Sequence, residues 1–545
     1  MGKAIFNWKI LLIVFISAIT FFVNNRVVVP DIMESRNIVT AREMVYDGNW
    51  LVPTMNGELR LEKPPLPTWI TAAAEIISPD NLALQRGMAG LAATMLVLFF
   101  FFLAKEFSDD DELPLVSTLI LLTCYNIILI GRTASWDIYC HAFMMGAIFF
   151  LVKAFKNRKS GKYFIMAGIF MGLSFMSKGP VSFYALLLPF IISYVICFTP
   201  SMRGRWKWVI YMIILAIVIG GWWYMFIYLF HHEEMNYVAN KEAAAWLNRN
   251  VRPWYYYWKF FLETGIWSLL LITAIFLPFW SKKSREDKIL LFPYLWMFLT
   301  LIFLSLLPEK KSRYLLPILI SASYICGYLI VYWNKNFKLN KNIKWDKFVF
   351  NINAWLINII VILLPLAGYI FIYCEGYISL PIFILISMAI EIIAYLLVKS
   401  TLGLKPIRFV IEITVLFLVL EVAVLPFAEK IINNPEMESI SKTRRIEEIK
   451  DIPFYHNSND ELRIEMVYAA NKKIRPLDIT SSDSVMKNLP MVLLTHKSAT
   501  DELPGELLGK IDTIYIGYFD DNRWSKRDKR YKDYFVYNVT LLKKR

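Results

Sequence analysis

Apolar stretches close to the roughly 20 residues that a helix needs to cross a bilayer recur along this chain, and nothing else in the sequence constrains its fold as much. They lie near 10–28, 84–104, 113–131, 138–155, 163–177, 180–199, 208–230, 257–279, 288–307, 313–333, 350–373, 378–397 and 408–427. Thirteen such windows in 545 residues read as a polytopic α-helical membrane protein. Composition agrees, with 57% apolar and 16% aromatic residues against roughly 45 to 50% apolar in soluble domains. Lys3 and Lys9 precede the first window and no small-x-small cleavage site comes after it, so it reads as an uncleaved span.

A formal net charge of +14 would suggest nucleic acid in a soluble chain, but membrane proteins gather Lys and Arg on their cytoplasmic loops. With the N-terminus inside, KAFKNRKSGK, SMRGRWK, SKKSREDK, NKNFKLNKNIKWDK and KSTLGLKPIR are inside loops, and KEFSDDDELP is the acidic dissenter. A nucleic-acid partner is therefore set aside. The same orientation sends the loop 30–83, GRTASWD, SKGP, HHEEMNYVANKEAAAWLNRNVRP, PEKKSR and the tail from about 430 to the other face. Lys63, Lys178, Lys310, Lys311 and Arg313 run against the charge rule there, and an anionic ligand is one reason for cations to do so.

The first outer loop has structure of its own. Residues 34–47 place Ile38, Ala41, Met44 and Val45 on one helical face, with Arg36, Glu43 and Asp47 elsewhere and Gly48 as a stop. This predicts an amphipathic helix lying on the membrane surface. Asn56-Gly57 between short extended runs predicts a hairpin that returns Glu62 and Lys63 toward the bilayer, and Pro64-Pro65 stiffens the next residues into extended chain. In the tail, ELRIEMVYAA, MVLLTHKSA, DTIYIGYFD and DYFVYNVTLL read as strands among short charged helices. The expected organisation is a membrane domain at 1–429, carrying the loop 30–83, and a soluble α/β domain at 430–545. All five cysteines fall in or beside apolar segments without metal spacing and read as small core hydrophobes.

Asp137 opens a span in RTASWDIYCHAFM, where an Asp commonly caps the helix. Asp31, Glu34 and Glu62 are expected at the same membrane level, and carboxylates clustered beside outward cations are costly unless they bind or catalyse something. Arg36, Lys63, Lys178, Lys310, Lys311 and Arg313 suit a phosphate. The plainer account of such cations is snorkelling to the headgroups, but Lys63, wedged between Glu62 and Pro64, points to function. His231 and His232 are adjacent and diverge on a helix, which favours interfacial placement over a metal pair. Trp254, Tyr255 to Tyr257 and Trp258 read as an aromatic belt.

ESRNIVTAREMVYDGNWLVPTMNGELRLEKPPLPTW resembles the first extracytoplasmic loop of bacterial lipid A aminoarabinose transferases and the related protein O-mannosyltransferases, membrane glycosyltransferases of the GT-C fold. Asp137, SKGP, RPWYYY and PEKKSRYLLP resemble further motifs of that family in the same order, over roughly the first 320 residues. The resemblance implies a GT-C membrane domain and transfer of a sugar, aminoarabinose-like or another hexose or pentose, from a polyprenyl-phosphate carrier. The implied acceptor is lipid A, another glycolipid or a protein, on the outer face of the cytoplasmic membrane. It also implies Arg36, Lys63 and Tyr314 near the carrier phosphate, with Lys178, Lys310, Lys311 and Arg313 as further cations. Glu62 is implied as a ligand for a divalent metal (Zn or Mg/Mn), and Asp137 with the acids of the first loop at the reaction centre. The family's acidic pair directly precedes x-Arg, whereas this chain has Met33-Glu34-Ser35-Arg36 with Asp31 two places back. That leaves the base among Glu34, Asp31 and Asp137. The aminoarabinose branch also carries a metal-binding His in the loop that here runs 231–253, and the resemblance assigns that role to neither His231 nor His232, leaving the metal open.

Two other classes compete with this reading. A multi-span transporter or flippase of lipid-linked sugars would often show internal repeats and charge runs at midplane depth, and neither is visible. A scaffold whose tail recruits partners predicts that the loop acids are dispensable.

Overall fold

The structure, a computed structural model, describes residues 2–157, 160–280, 288–339 and 344–545. Parts of three expected inside loops, at 158–159, 281–287 and 340–343, lie outside the described residues. The chain divides into two compact units. One comprises Met1–Asn25, Leu61–Pro67 and Asn81–Pro426, the other Arg26–Arg60, Thr68–Asp80 and Phe427–Arg545. Most of the first loop thus joins the tail, whereas the sequence pattern attaches it to the membrane part.

In the first unit, nine helices among the described residues are long and apolar enough to cross a membrane. They are Leu82–Phe107, Trp136–Lys156, Trp206–Phe230, Trp254–Pro278, Lys288–Leu306, Ser312–Lys338, Lys344–Tyr373, Leu380–Leu402 and Pro406–Phe427. Leu113–Leu122 and Tyr125–Gly131, bent by 67°, make up to ten. The remaining expected windows also form helices, Trp8–Phe22, Gly161–Lys178 and Phe183–Phe198, but these are shorter or less apolar than a full span. Helices Gly161–Lys178 and Trp206–Phe230 meet through glycine. A Cβ would stand 2.6 Å from the Met212 carbonyl oxygen at Gly168, 2.6 Å from Ile219 Cβ at Gly172 and 2.8 Å from Phe175 Cβ at Gly220. Small residues four apart let backbones approach closely, which matters where lipid removes the hydrophobic drive for helices to associate.

In the second unit, Asp31 caps the helix Ile32–Asp47 by accepting from the amides of Met33 and Glu34, and Gly48 ends it at φ 77°. The expected surface amphipath is corrected. Ser35, Asn37, Arg42 and Glu43 are buried along with Ile38, Val39, Ala41 and Met44, so protein surrounds the helix on its polar side too. Val39 joins the core formed by Phe454, Val467 and Val492 of the tail, while Ala41 and Met44 pack on Ala72. The buried polar groups find partners: Arg42 donates to the Tyr468 carbonyl at 3.1 Å, and Glu43 accepts from Thr54 Oγ1 at 2.5 Å and from the Gly57 amide at 3.2 Å. Burial raises the Glu43 carboxyl above the usual range, against the lowering by these bonds. The expected hairpin forms from Thr54–Met55 and Glu58–Leu59. Asn56 and Gly57 hold φ of 57° and 83° at its turn, as a two-residue hairpin loop requires. Asn56 also pairs through its amide with the Ile474 amide and carbonyl, at 2.8 and 2.7 Å. Pro64-Pro65 does not continue as extended chain, because the helix Leu66–Ile77 starts directly after it.

The tail builds a five-stranded sheet in the order Ile474–Leu477, Phe454–Asn457, Met491–Thr495, Val536–Lys544, Ile511–Asp520. The first three strands are parallel and the last two pairings antiparallel. ELRIEMVYAA, expected as a strand, contains the helix Ile464–Ala470. The parallel neighbours on either side of it in sequence require a crossover, which a helix supplies.

Candidate active site

Two helix ends position the site of the membrane unit. The helix Trp136–Lys156 comes directly after Ser135 as its cap, which puts Asp137 in the first turn. The helix Gly161–Lys178 stops at Gly179, where φ is 66° and a Cβ would meet the Tyr224 hydroxyl at 3.1 Å. Lys178 is thereby presented to Asp137: Nζ donates to Oδ1, with side chains 5% and 1% exposed. Asp137 Oδ2 is buried and has no hydrogen-bond partner. Asp137 is thus one half of a buried ion pair rather than a helix cap. Removing two charges from water is repaid only where the geometry is good and the remaining lone pairs are satisfied, so the unmatched oxygen is the natural place for a ligand donor.

Lys178 Nζ also stands 5.0 Å from the centre of the Tyr314 ring, and Lys311 Nζ 5.7 Å from the same ring, both within cation–π range. Glu309 ties this wall together, taking Lys311 Nζ at 2.5 Å and the Tyr314 hydroxyl at 3.4 Å. The Lys311 amide donates to the Tyr257 hydroxyl at 3.0 Å. Arg313 acts electrostatically on both Asp137 and Lys311. Burial lowers the Lys311 ammonium below the usual lysine range, opposed by Glu309, and lowers Lys310, whose Nζ donates to the Leu307 carbonyl.

Glu62 and Lys63 meet the exposed helix His232–Asn248 in crossed pairs. Lys63 Nζ lies 2.9 Å from Glu242 Oε2, and Lys241 Nζ 3.6 Å from Glu62 Oε1. An acid-base doublet in the first loop is answered by a base-acid doublet some 180 residues on. Glu62 Oε2 is buried without a hydrogen-bond partner.

Of the residues expected from sequence, Asp137, Lys178, Lys311, Arg313 and Tyr314 converge, while Glu62 and Lys63 make a second group. Asp31, Glu34 and Arg36 belong to the other unit. There Asp31 Oδ1 accepts from the Met33 and Glu34 amides at 2.9 Å, Glu34 is buried, and the Arg36 carbonyl accepts from Thr40 Oγ1 at 2.8 Å. Sequence reasoning missed Glu309, Glu242 and His141. Glu309 lies in the quoted PEKKSR and was passed over for its cations. His141, one turn after Asp137, is 1% exposed with Nδ1 lacking a hydrogen-bond partner. Among the described residues, no group of three or more His, Cys, Asp or Glu side chains is arranged to hold a metal. Glu62 faces Lys241, and His232 Nε2 meets Asn236 Nδ2 at 2.9 Å. No catalytic step is assigned to a divalent ion.

Residues 62–224 match the family described as dolichyl-phosphate-mannose-protein mannosyltransferase. An undecaprenyl phosphate-alpha-4-amino-4-deoxy-L-arabinose arabinosyl transferase of Pseudomonas fluorescens is 26% identical over 325 residues, covering 56% of this chain and 54% of that protein. Its namesake from Pseudomonas savastanoi is 26% identical over 327 residues, covering 56% and 57%. The chain spans a little over half the length of these curated relatives. The crystal structure of ArnT from Cupriavidus metallidurans bound to undecaprenyl phosphate superposes with a TM-score of 0.71 over 98% of both chains, at 13% identity, which is a likeness of fold.

Proposed function

We propose that this chain, a GT-C-fold member of the aminoarabinose transferase and protein mannosyltransferase-like family, transfers a sugar from a polyprenyl phosphate to an acceptor on the outer face of the cytoplasmic membrane. The observation that carries this reading is the buried Asp137–Lys178 pair, with one carboxylate oxygen unmatched, beside the cation-rich wall of Lys311, Arg313 and Tyr314. The loop charges support the outer face.

The donor's prenyl tail stays in the bilayer and its phosphosugar enters the cationic pocket. The acceptor attacks the anomeric carbon, and the bond from that carbon to the phosphate oxygen breaks. The electron pair leaves with the polyprenyl phosphate, whose charge Lys178, Lys311 and Arg313 stabilise, with Lys63 as a further cation. Lys310 and Arg36 complete the proposed phosphate-binding set. An acceptor hydroxyl passes its proton to a carboxylate, for which we propose Asp137 with Glu34 and Asp31 as alternatives. A lipid phosphate acceptor is already anionic, and the carboxylates then orient it. Lipid A, another glycolipid and protein are the acceptors in view.

The test is transfer of radiolabelled sugar from polyprenyl-phosphate donors to lipid and protein extracts, by wild type, Asp137→Asn and Lys63→Ala in detergent. Transfer that collapses in folded variants supports the reading, and the labelled fraction identifies the acceptor class. Wild type that binds or moves the lipid-linked sugar without transferring it overturns the catalytic roles.

A further inference from the structure

Two short stretches of the tail are rich in cations, SKTRRIEEIK at 441–450 and NKK at 471–473. The end of the helix Ile464–Ala470 brings them together. Asn471 follows it at φ 55°, and Arg444 takes its last carbonyls, Nε donating to Ala469 at 2.6 Å and Nη2 to Tyr468 at 2.7 Å. Lys472 Nζ turns back to donate to the Lys450 carbonyl. Between the two stretches lies a cavity of about 180 Å³. Ile449, Phe454 and Ala470 form its apolar side and belong to one core. Its charged lining is Arg444, Lys450 and Lys472, and no carboxylate among the described residues joins them.

The charges around this cavity do not balance. Asp80 accepts from both Arg444 and Arg42, so one carboxylate answers two guanidinium groups, which stay charged in proteins. Burial holds the Arg444 guanidinium below its usual value, with Asp80 opposing and Arg42 adding to the fall. Lys450 Nζ lies 3.4 Å from Glu447 Oε2, but these side chains are 60% and 82% exposed, and water screens such a pair. Lys473 pairs with Asp47 at 2.6 Å. Its neighbour Lys472 has a neutral carbonyl as partner and, among the described residues, no carboxylate. Capping the helix accounts for Arg444. It does not account for Lys450 and Lys472, which bond to none of that helix's carbonyls.

We propose that this cavity binds a phosphate monoester. Such a group carries close to two negative charges at neutral pH and three acceptor oxygens, enough to meet both ammonium groups and the side-chain amide of Asn471, which also lines the cavity. A carboxylate brings one charge and leaves one ammonium unanswered. The apolar side suits the carbon substituent of the ester. Soluble phosphate esters and phosphate headgroups of lipids share this chemistry. The site stands or falls independently of sugar transfer.

The membrane unit has a proposed phosphate site of its own, so the readout must be local. Acylation of lysine amines in full-length protein in detergent, followed by mass spectrometry of its peptides, reports on Lys450 and Lys472 separately, with the exposed Lys487 and Lys510 as controls. The probes are glycerol phosphate, a short-chain phosphatidic acid and, at matched ionic strength, acetate. A phosphate probe is expected to protect Lys450 and Lys472 together and to leave Lys487 and Lys510 unchanged. Lys472→Gln should raise the concentration needed to protect Lys450 roughly tenfold, and Lys450→Gln should do the same for Lys472. Protection by glycerol phosphate alone assigns the site to soluble esters, by phosphatidic acid alone to a lipid headgroup, and by both shows that the phosphate group suffices. Equal protection by acetate, equal protection of the control lysines, no protection of Lys450 and Lys472, or undiminished protection in both variants overturns the proposal.

Discussion

Lys178 Nζ is bonded to Asp137 Oδ1 in a site where both side chains are almost fully enclosed, and Asp137 Oδ2 is left unmatched. Breaking a buried pair by removing one partner strands the other charge and costs roughly 3 to 5 kcal/mol. Lys178→Met should therefore lower the unfolding midpoint sharply, and Asp137→Asn with Lys178→Met together should recover most of the loss. Neither should transfer sugar. A stable double variant working at the wild-type rate would remove the pair from the reaction.

The crossed pairs of Glu62 and Lys63 with Lys241 and Glu242 are half-exposed, where an ion pair contributes only about 0 to 1 kcal/mol. Glu242→Gln should leave thermal stability nearly unchanged while freeing Lys63. Kinetics should then show a change in KM for the polyprenyl-phosphate donor, larger at low ionic strength, with kcat less affected. An unchanged KM at every salt concentration would separate Lys63 from donor binding.

Gly172 faces Ile219 at 2.6 Å from where a Cβ would stand. Gly172→Leu is expected to destabilise the membrane unit by roughly 1 to 3 kcal/mol or more through overpacking. Gly505→Ala, with nothing within 4 Å, is the control. Equal unfolding midpoints for the two would mean that the helices separate without cost.

Burial pushes the Asp521 carboxyl up to about 6, against the lowering by the Ile440 amide and the Ser439 hydroxyl that donate to it. The folded tail then holds this proton more tightly than the unfolded chain. Its contribution to stability is complete below the ordinary Asp value of about 3.9 and is lost as pH rises through about 6. Proteolytic susceptibility of the tail in folded full-length protein should increase across that window, and Asp521→Asn should flatten the dependence. The same slope in the variant would assign it to another group.

The helical membrane class was legible because every window of apolar residues near bilayer length folded helically, one of them as a pair bent by 67°, and the Asn56-Gly57 turn was legible because its backbone needs residues that tolerate positive φ. The helix Ile32–Asp47 was harder to read. Ile38, Ala41, Met44 and Val45 gave its apolar stripe, but nothing local says that Asn37, Arg42 and Glu43 are covered as well, because their partners lie on Thr68, Tyr468 and Thr54. Asp137 and Lys178 could each be singled out by place in the chain, whereas their bond spans 41 residues and depends on where one helix begins and another stops.

By itself, then, the sequence determined what is periodic or conformationally forced: which long apolar segments are helical, where the Asn56-Gly57 turn of positive φ falls, and which charges sit in loops beside apolar runs. Only the tertiary structure decided the partners. Lys63 meets Glu242, Tyr314 meets both Lys178 and Lys311, and His496 faces Asp460. Helical and strand periodicity act over a few residues, while pairing depends on how distant helices and strands pack, and no local propensity encodes that packing.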